Sequence, residues 1–315
     1  MRKQDIKIGC DPEFFVYDTE AKANISCHTF MKGDKKNPYP LKNGAVQVDG
    51  TAIEFNIEAT SDPTDFAANV QKTLDEIRGM VPNKYQFQFK PHVIYDEKYF
   101  STLPSQCIEL GCDPDFDALT GKMNPPPKPT GKYKTMRTGA GHLHIGWTSG
   151  KDINDPSHAF DAMHVADNLH RLLVDTELST LWDNDKLRKN LYGANAAYRP
   201  KSYGCELRSP SNAWLNYPKL WPWLAETAQA ATMYMYETGN KLFTQCISTT
   251  CDNNYYYCTP EAKRMRYCPY FNVEKENNTS DFTLQTKINA YNYLYTYGRN
   301  GFYLPPLSID MLTTT

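Results

Sequence analysis

The chain has 315 residues, of which 40% are hydrophobic and 22% charged, and its formal net charge at pH 7 is −2. This length suffices for one large α/β domain or two closely joined ones. The near-neutral charge argues against a duplex nucleic-acid footprint, and no apolar run is long enough to span a bilayer. The basic amino terminus lacks an apolar segment, so we expect no secretory signal. Nine scattered cysteines favour a reducing cytoplasm over a disulfide framework.

The first hundred residues carry alternating strand and helix patterns. Residues 6–17 are typical of a strand, and residues 45–58 of a hairpin with a glycine turn, because apolar and polar side chains alternate. Asp62 and Pro63 then predict the start of a helix. The residues expected on its inner face are Phe66, Val70, Leu74 and Ile77. Residues 84–95 alternate again and predict one further strand.

The periodicity disappears between residues 101 and 138, a segment that contains the proline- and glycine-rich stretch 123–131. Such a long loop inside a compact domain is uncommon unless it covers a site. The segment is therefore either a disordered surface excursion or a lid. Within it, the sequence GCDPDF at 111–116 repeats GCDPEF at 9–14, which we interpret as two similar strand-to-turn endings.

The next hundred residues return to regular patterns. They predict a strand from His142 to Trp147, a long helix over 155–182, a strand over 203–208 and a helix over 218–238. The inner side of the long helix is expected to carry Phe160, Met163, Leu169 and Leu173. Its histidines, His158, His164 and His170, fall on different faces and are interpreted as surface or capping residues.

Residues 241–315 are rich in tyrosine, asparagine and cysteine. We expect them to pack as an extension on a catalytic domain formed by residues 1–240, which includes the candidate lid. Four cysteines of this extension could close a tetrahedral zinc site, but their spacings match no common zinc finger, so free thiols are favoured. These residues are Cys246, Cys251, Cys258 and Cys268.

Four short segments place charged or metal-competent side chains two residues apart, so that each set projects from one face of a strand. The sets are Asp11 with Glu13, Glu54 with Asn56 and Glu58, His142 with His144, and Glu206 with Arg208. Each set alone is typical of a solvated strand. Together they predict a cation between them, because clustered like charges repel.

The chemistry of this combination points to phosphate and divalent metal. Magnesium takes carboxylate ligands, and one imidazole among them is compatible with magnesium or manganese. Arg208, with Arg199 and Lys201 close in sequence, would supply fixed positive charge to a transferring phosphoryl group. Glycines around the histidines would let backbone or ligand approach closely. The sequence has no GxxxxGK[ST] phosphate loop.

These motifs resemble those of glutamine synthetases. The segment 11–15 looks like their E-x-E-F-F sequence with Asp in the first place, 139–144 resembles their glycine-rich H-x-H strand, and 206–208 their E-x-R strand. The run LYGANAAYRPKSYGCELRSPSNAW at 191–214 is similar to the phage-type carboxylate–amine (COOH–NH2) ligases, type 2, which share a superfamily with glutamate–cysteine ligase. Asn195-Ala196 stands where that family often has Ala-Gly.

The resemblance covers residues 8–60 and 105–220, about half of the chain, and it implies a fold and a set of roles. The implied fold is α+β, a curved antiparallel β-sheet funnel with helices packed on its outer face. The implied metal ligands are Asp11, Glu13, Glu54, Glu58, His142 and Glu206. The implied ATP-binding residues are Arg199, Lys201, Arg208, His144 and Arg137, with Arg208 and Arg199 also catalytic.

The hairpin offers three carboxylates for two ligand positions. Glu54 and Glu58 are favoured because they share a face, and Asp49 is either the third candidate or a turn residue before Gly50.

The implied reaction is ATP- and Mg²⁺- (or Mn²⁺-) dependent ligation of a carboxylate to an amine through an acyl phosphate. Two alternatives are a guanidino kinase on the same fold and a catalytically inactive phage binding or virion-associated protein. The expected partners are ATP, a carboxylate substrate and an amine substrate, with no membrane and no sign of nucleic acid. The expected location is the cytoplasm, that of the infected host if the chain is phage-encoded. The identity of both substrates and the oligomeric state stay open.

Overall fold

The computed structural model describes residues 2–110, 115–174, 187–194, 196–238 and 305–312. In these residues the fold is mixed α+β, with a large antiparallel sheet and helices packed against it. The strands are β1 Lys7–Asp18, β2 Ala23–Ile25, β3 Tyr39–Leu41, β4 Gly44–Asp49, β5 Ala52–Ile57, β6 Tyr85–Gln88, β7 His92–Ile94, β8 Phe116–Asp117, β9 Met136–Thr138, β10 Gly141–Gly146, β11 Ala197–Lys201 and β12 Gly204–Leu207. The α-helices are α1 Pro63–Met80, α2 Glu97–Phe100, α3 Ser105–Ile108, α4 Pro156–Leu173 and α5 Trp221–Thr238.

The long strand β1 organises the main sheet. Its first half pairs with β10, its middle with β5, and its last residues with β2 and β6. The strand order is β3-β4-β5-β1-β10-β12-β11-β8, and every pair is antiparallel. The register sets Asp11 opposite His142, Glu13 opposite Glu54, and His144 opposite Glu206. Because directly opposed residues share a face, the separate sequence motifs meet on one side of the sheet.

The other side of the sheet is the main hydrophobic core. Alternate residues of the central strands, such as Cys10, Leu143 and Leu207, are buried there together with the inner residues of the helices. Helix α4 packs across β11 and β12, and α5 packs against β1 and α1. The period-two pattern of the strands therefore separates an apolar, helix-covered face from a polar face.

The amino-terminal predictions are confirmed. Residues 7–18 form one strand, β4 and β5 form the hairpin, and Gly50 in its turn has a left-handed φ of 57°. Helix α1 begins at Pro63, where the Asp62 side chain accepts hydrogen bonds from two backbone amides of the first turn. All four apolar residues predicted for its inner face are buried.

Three predictions are wrong, one about a strand and two about which side chains of α4 are buried. Residues 84–95 form two strands in different sheets, β6 against β1 and β7 against β9, because Pro91 interrupts the ladder. Phe160 is 57% exposed and stacks on His164, whereas Leu169 and Leu173 are buried as predicted. His158 and His170 are buried, and His158 Nε2 lies 2.7 Å from the carbonyl oxygen of residue 201, to which it donates a hydrogen bond.

The predicted start of the long helix over 155–182 can be compared with the structure, but its predicted end cannot. Helix α4 begins at Pro156, close to the predicted start, and the described helix ends at Leu173. Residues 175–186 of the predicted span lie outside the described residues.

A second, smaller apolar cluster lies on the polar side of the sheet, around Phe15. Residues before and within the aperiodic segment 101–138 pack on this phenylalanine. The cluster consists of Phe15, Ala52, Val93, Tyr95, Phe100, Leu103 and Cys107. Part of the candidate lid therefore forms regular elements, namely α3, β8 and β9. Most residues of its proline-rich stretch, in contrast, are exposed. Its action as a lid stays a prediction.

Little of the carboxy-terminal extension falls within the described residues. Leu307 is buried in the main core, and Trp223 Nε1 donates a hydrogen bond of 3.0 Å to the carbonyl oxygen of Pro305. Cys246, Cys251, Cys258 and Cys268 lie outside the described residues. Among the helices described, none combines the length and apolarity needed to cross a membrane.

Candidate metal and phosphate site

Three metal-competent side chains converge at the centre of the polar face. Asp11 on β1, His142 on β10 and Glu206 on β12 each offer a ligand atom within 4.8 Å of the other two. His142 Nδ1 lies 3.2 Å from Asp11 Oδ1 and 3.6 Å from Glu206 Oε1. Glu206 is 1% exposed and His142 4%. We call Asp11, His142 and Glu206 the histidine cluster.

Cationic side chains surround the Glu206 carboxylate. Lys201 Nζ lies 2.8 Å from Glu206 Oε2, Arg199 Nη1 lies 3.7 Å from Oε1, and the Arg208 guanidinium donates a hydrogen bond to Oε1. Burial and Asp11 act to raise the pKa of Glu206, but His142, Arg208 and His144 outweigh them and hold this pKa at about 2. The carboxylate is therefore ionised in the folded protein at neutral pH.

The two histidines of β10 lower the pKa of Asp11. His144 Nε2 lies 2.9 Å from Asp11 Oδ1, the same oxygen that His142 approaches. Burial alone would raise the pKa of Asp11, yet the two histidines lower it far below its ordinary range. Burial and Arg208 lower the pKa of His142. Burial also acts to lower the pKa of His144, but Asp11 and Glu206 together outweigh it and raise this pKa.

The histidine cluster fits a divalent cation on grounds of hydrogen bonding as well as charge. Within the described residues, the buried atoms Asp11 Oδ1 and Glu206 Oε2 have nitrogen neighbours within 3.2 Å but no aligned hydrogen-bond donor. Buried oxygens in this state are uncommon in folded proteins, and a bound ion is one way in which they are satisfied. Two carboxylates and one imidazole suit magnesium or manganese.

A second acidic group lies on the neighbouring strands. Glu13 of β1 faces Glu54 of β5, and Asp49 at the end of β4 is close enough to repel both electrostatically. We call these three residues the carboxylate cluster. Glu13 Oε2 accepts a hydrogen bond of 3.1 Å from the amide of Ala140, and Glu54 Oε2 one of 2.7 Å from the Gln47 side chain.

The carboxylate cluster is poorly neutralised. Burial and Asp49 raise the pKa of Glu13 to about 7, and burial together with Asp11 and Glu13 raises that of Glu54 well above its ordinary value. Lys35, which is half exposed, contacts Asp49 at 2.9 Å. A bound cation would favour the ionised forms of Glu13 and Glu54.

The structure does not bring Glu58 into either cluster. Glu58 is exposed beyond the end of β5, at the opposite end of the hairpin from Asp49, and its amide donates to the carbonyl of Asn43. It lies four residues along the chain from Glu54, roughly 13 Å at strand spacing. Of the three hairpin candidates, the two that approach Glu13 are therefore Glu54 and Asp49.

A small cavity beside both clusters has three arginines in its wall: Arg137, Arg188 and Arg208. Arg208 Nε donates a hydrogen bond of 3.1 Å to Asp115, and Arg188 donates to the backbone carbonyls of residues 208 and 209. Arg137 lies over the Phe100 ring at 4.5 Å. These three cations are fixed by packing and hydrogen bonds before any ligand enters.

A wider groove lies on the other side of the acidic residues. Asp11, Glu54 and His144 face it, with the amides Gln47 and Asn56 and the aromatic Tyr203. The predicted ATP-binding residues thus divide between two places. Arg137 and Arg208 line the small cavity, and His144 faces the groove, while Arg199 and Lys201 lie on β11 beside Glu206.

The glycines around the histidines serve backbone packing. A Cβ on Gly139 would lie 2.4 Å from Asn212 Nδ2, and one on Gly141 would lie 2.2 Å from the carbonyl oxygen of Ser211. The Asn212 side chain donates to the backbone carbonyl of Glu13 at 2.7 Å, and Trp214 Nε1 donates to that of Gly141 at 3.1 Å. The SNAW segment at 211–214 therefore supports the strands that carry the site.

Three residues of the site are not indicated by the sequence patterns: Asp115, Arg188 and Tyr203. The sequence does contain a feature that could have indicated Asp115. It occupies the position of Glu13 in the repeated GCDP[DE]F sequence. Arg188 and Tyr203 lie in a short 3₁₀ helix and a turn, where no periodic pattern indicates which way a side chain points.

In comparisons with known proteins, neither a family model nor a curated protein matches the sequence.

Proposed function

We propose that this protein is an ATP- and Mg²⁺-dependent carboxylate–amine ligase that forms an amide bond through an acyl phosphate, on a glutamine-synthetase-like fold whose sheet curves into a funnel. The observation that carries the proposal is the meeting of two acidic clusters and fixed arginines on one sheet face. Acidic clusters bind divalent cations, and arginines bind phosphoryl oxygens.

Each cluster would hold one cation. Asp11, His142 and Glu206 would hold the first, and Glu13 and Glu54, with Asp49, the second. The cations would neutralise the triphosphate oxygens and polarise the oxygen of the transferring phosphoryl group.

The remaining work falls to the cationic side chains. Arg208 is braced on two sides by Glu206 and Asp115, so its guanidinium is oriented toward the cavity before substrate binds. It would stabilise charge on the phosphoryl group as the substrate carboxylate attacks, and later the oxyanion as the amine attacks and phosphate leaves. Arg199 and Lys201 would contact the remaining phosphate oxygens.

Hydroxylamine trapping tests the reaction. The full-length protein with Mg²⁺, ATP and a panel of amino acids should yield an amino acid hydroxamate, because hydroxylamine attacks an acyl phosphate in place of the amine. Arg208→Ala should lower the rate about 10²-fold or more, by analogy with the loss of an oxyanion-stabilising donor. The exposed carboxylate of Glu97 on α2 offers a control, and Glu97→Gln should leave the rate unchanged.

The same assay separates the alternatives. A guanidino kinase would consume ATP in the presence of a guanidino substrate and give no hydroxamate. An inactive binding protein would do neither. Magnesium-dependent thermal stabilisation by ATP that Glu13→Ala and Arg208→Ala leave intact would show that the site is wrongly assigned.

A further inference from the structure

We propose that Tyr203, acting through His144, is a positioning residue that sets the cation affinity of the histidine cluster. The inference rests on the proposed function, since it needs a cation at Asp11, His142 and Glu206. It gives His144 the task of orienting a ligand in place of the ATP contact that the family resemblance implies.

The three side chains form a continuous chain across the polar face. The Tyr203 hydroxyl is hydrogen-bonded to His144 Nδ1, and His144 Nε2 lies 2.9 Å from Asp11 Oδ1. Asp11 in turn belongs to the histidine cluster. Tyr203 therefore reaches Asp11, a predicted ligand of the cation, through one intermediate side chain.

The chemistry of the partners allows both contacts. An ionised carboxylate only accepts hydrogen bonds, so Nε2 carries the ring proton that faces Asp11. The Tyr203 hydroxyl can donate or accept, so it can pair with Nδ1 in either protonation state of the ring. Removing the phenol would release the ring orientation of His144.

Tyr203 is itself held rigidly. It lies in the turn between β11 and β12, and its carbonyl accepts hydrogen bonds from the amides of Trp147 and Thr148 at 2.9 and 3.1 Å. Its ring lies beside Gly146, where a Cβ would be 3.6 Å away. The next residue, Gly204, leaves no room for a side chain, because its Cβ would lie 2.1 Å from the carbonyl oxygen of Ile145.

The contact between His144 and Asp11 is close but is not a complete hydrogen bond. His144 Nε2 and Asp11 Oδ1 are both buried, and despite their 2.9 Å separation they do not form an aligned hydrogen bond within the described structure. Without the phenol, the imidazole would lose its hydrogen bond at Nδ1, and the orientation of Asp11 would be less well fixed. Hydrogen bonds that orient metal ligands typically contribute 10- to 100-fold in metal affinity.

Manganese binding to the full-length protein, measured by electron paramagnetic resonance without nucleotide, tests this role. Tyr203→Phe removes one hydroxyl and keeps the ring, and it should weaken the binding of Mn²⁺ at the histidine cluster about 10- to 100-fold. Tyr198→Phe is the matched control, because Tyr198 is a buried tyrosine on the apolar side of β11. It should leave the affinity unchanged.

A second variant tests the path through His144. The glutamine of His144→Gln can still donate to Asp11 but has no ring nitrogen for Tyr203, so it should weaken Mn²⁺ binding to a similar extent. Combining it with Tyr203→Phe should cause no further loss, because both changes break one chain. Thermal unfolding of each cation-free variant checks that the fold is retained.

The outcomes separate the inference from the function on which it rests. If the unaltered protein binds Mn²⁺ and folded Tyr203→Phe binds it equally well, Tyr203 has no positioning role and the proposed metal site survives. Additive losses in the double variant would also overturn the path through His144. If the unaltered protein binds no Mn²⁺, the proposed metal-dependent function fails and the inference fails with it.

Discussion

The histidine cluster and the carboxylate cluster lie on adjacent strands, yet their charges are balanced in different ways. Glu206 is surrounded by Lys201, Arg199 and Arg208. His142, Arg208 and His144 outweigh burial and Asp11 and hold its pKa at about 2. Glu13 lies among carboxylates, and burial together with Asp49 raises its pKa to about 7. The first cluster is ionised before a cation arrives, whereas the second needs the cation to become fully ionised. The two predicted metal positions should therefore differ in affinity and in their effect on stability.

The largest expected effect on stability comes from removing the charge of Glu206 in the histidine cluster. Glu206→Gln leaves the surrounding cations without their buried counter-charge and should lower the free energy of unfolding by about 3 kcal/mol in the presence of a chelator. Urea unfolding at pH 7 measures this change. Glu226→Gln is the control, because the Glu226–Lys3 ion pair is about 40% exposed on both sides and should contribute less than about 1 kcal/mol.

The raised pKa of Glu13 in the carboxylate cluster should make stability depend on pH. Between the ordinary pKa of 4.5 and the folded pKa of about 7, folded Glu13 retains a proton that the unfolded chain has released. Stability should therefore fall as pH rises through this window, by at most about 1.4 kcal/mol per unit and about 3 kcal/mol in all.

The comparison that isolates Glu13 is urea unfolding of the unaltered protein and Glu13→Gln at pH 5, 6 and 7 with chelator. The difference in free energy of unfolding between the two should move in favour of Glu13→Gln as pH rises. Saturating Mg²⁺ should remove the trend. A difference that does not vary with pH would mean that Glu13 is ionised as readily in the folded as in the unfolded chain.

Removing a carboxylate from the unbalanced cluster should have the opposite sign to Glu206→Gln. Folded Glu54 must either hold a like charge beside its neighbours or take up a proton. Glu54→Gln removes both costs and should stabilise the cation-free protein by about 1 to 2 kcal/mol at pH 8. The same variant should weaken the stabilisation by Mg²⁺. Destabilisation of the cation-free protein would contradict the assignment of this cluster.

The smallest effect is expected at the hairpin carboxylate that lies away from both clusters. Glu58→Gln should change the free energy of unfolding by less than about 0.5 kcal/mol, as for most exposed substitutions. Asp49→Asn should lower the Mg²⁺ affinity of the second position, because Asp49 acts on Glu13 and Glu54. Calorimetric titration of both variants decides between the two candidates.

The local patterns of the sequence predicted the parts of the site that strands carry. Period-two spacing placed Asp11 with Glu13, and His142 with His144, on common faces, because alternation is a property of any single strand. It also favoured Glu58 with Glu54, because alternation does not reveal that β5 ends at Ile57. Where a strand ends relative to its neighbours is set by pairing across the sheet, and one sequence contains no direct record of that pairing.

Residues outside regular elements were harder to predict. Tyr203 approaches His144 because a turn is pinned to the amides of Trp147 and Thr148, and Arg188 reaches the cavity from a short 3₁₀ helix. His158 is buried because α4 crosses the end of β11, where its ring meets a backbone carbonyl. These contacts depend on tertiary packing, which overrides the polarity of the individual residue.

The pairing of β1 with β10, and of β10 with β12, has a consequence for the order of folding. The residues of the histidine cluster come from the beginning, middle and later part of the chain, so the site forms only after these distant segments have met. Pairing of this kind is slow compared with the formation of local hairpins such as β4–β5. During synthesis β1 cannot pair with β10 until residues 141–146 have been made. A cation at the histidine cluster therefore cannot assist the early steps of folding. Once bound, the ion would slow the separation of the strands and so protect the finished sheet.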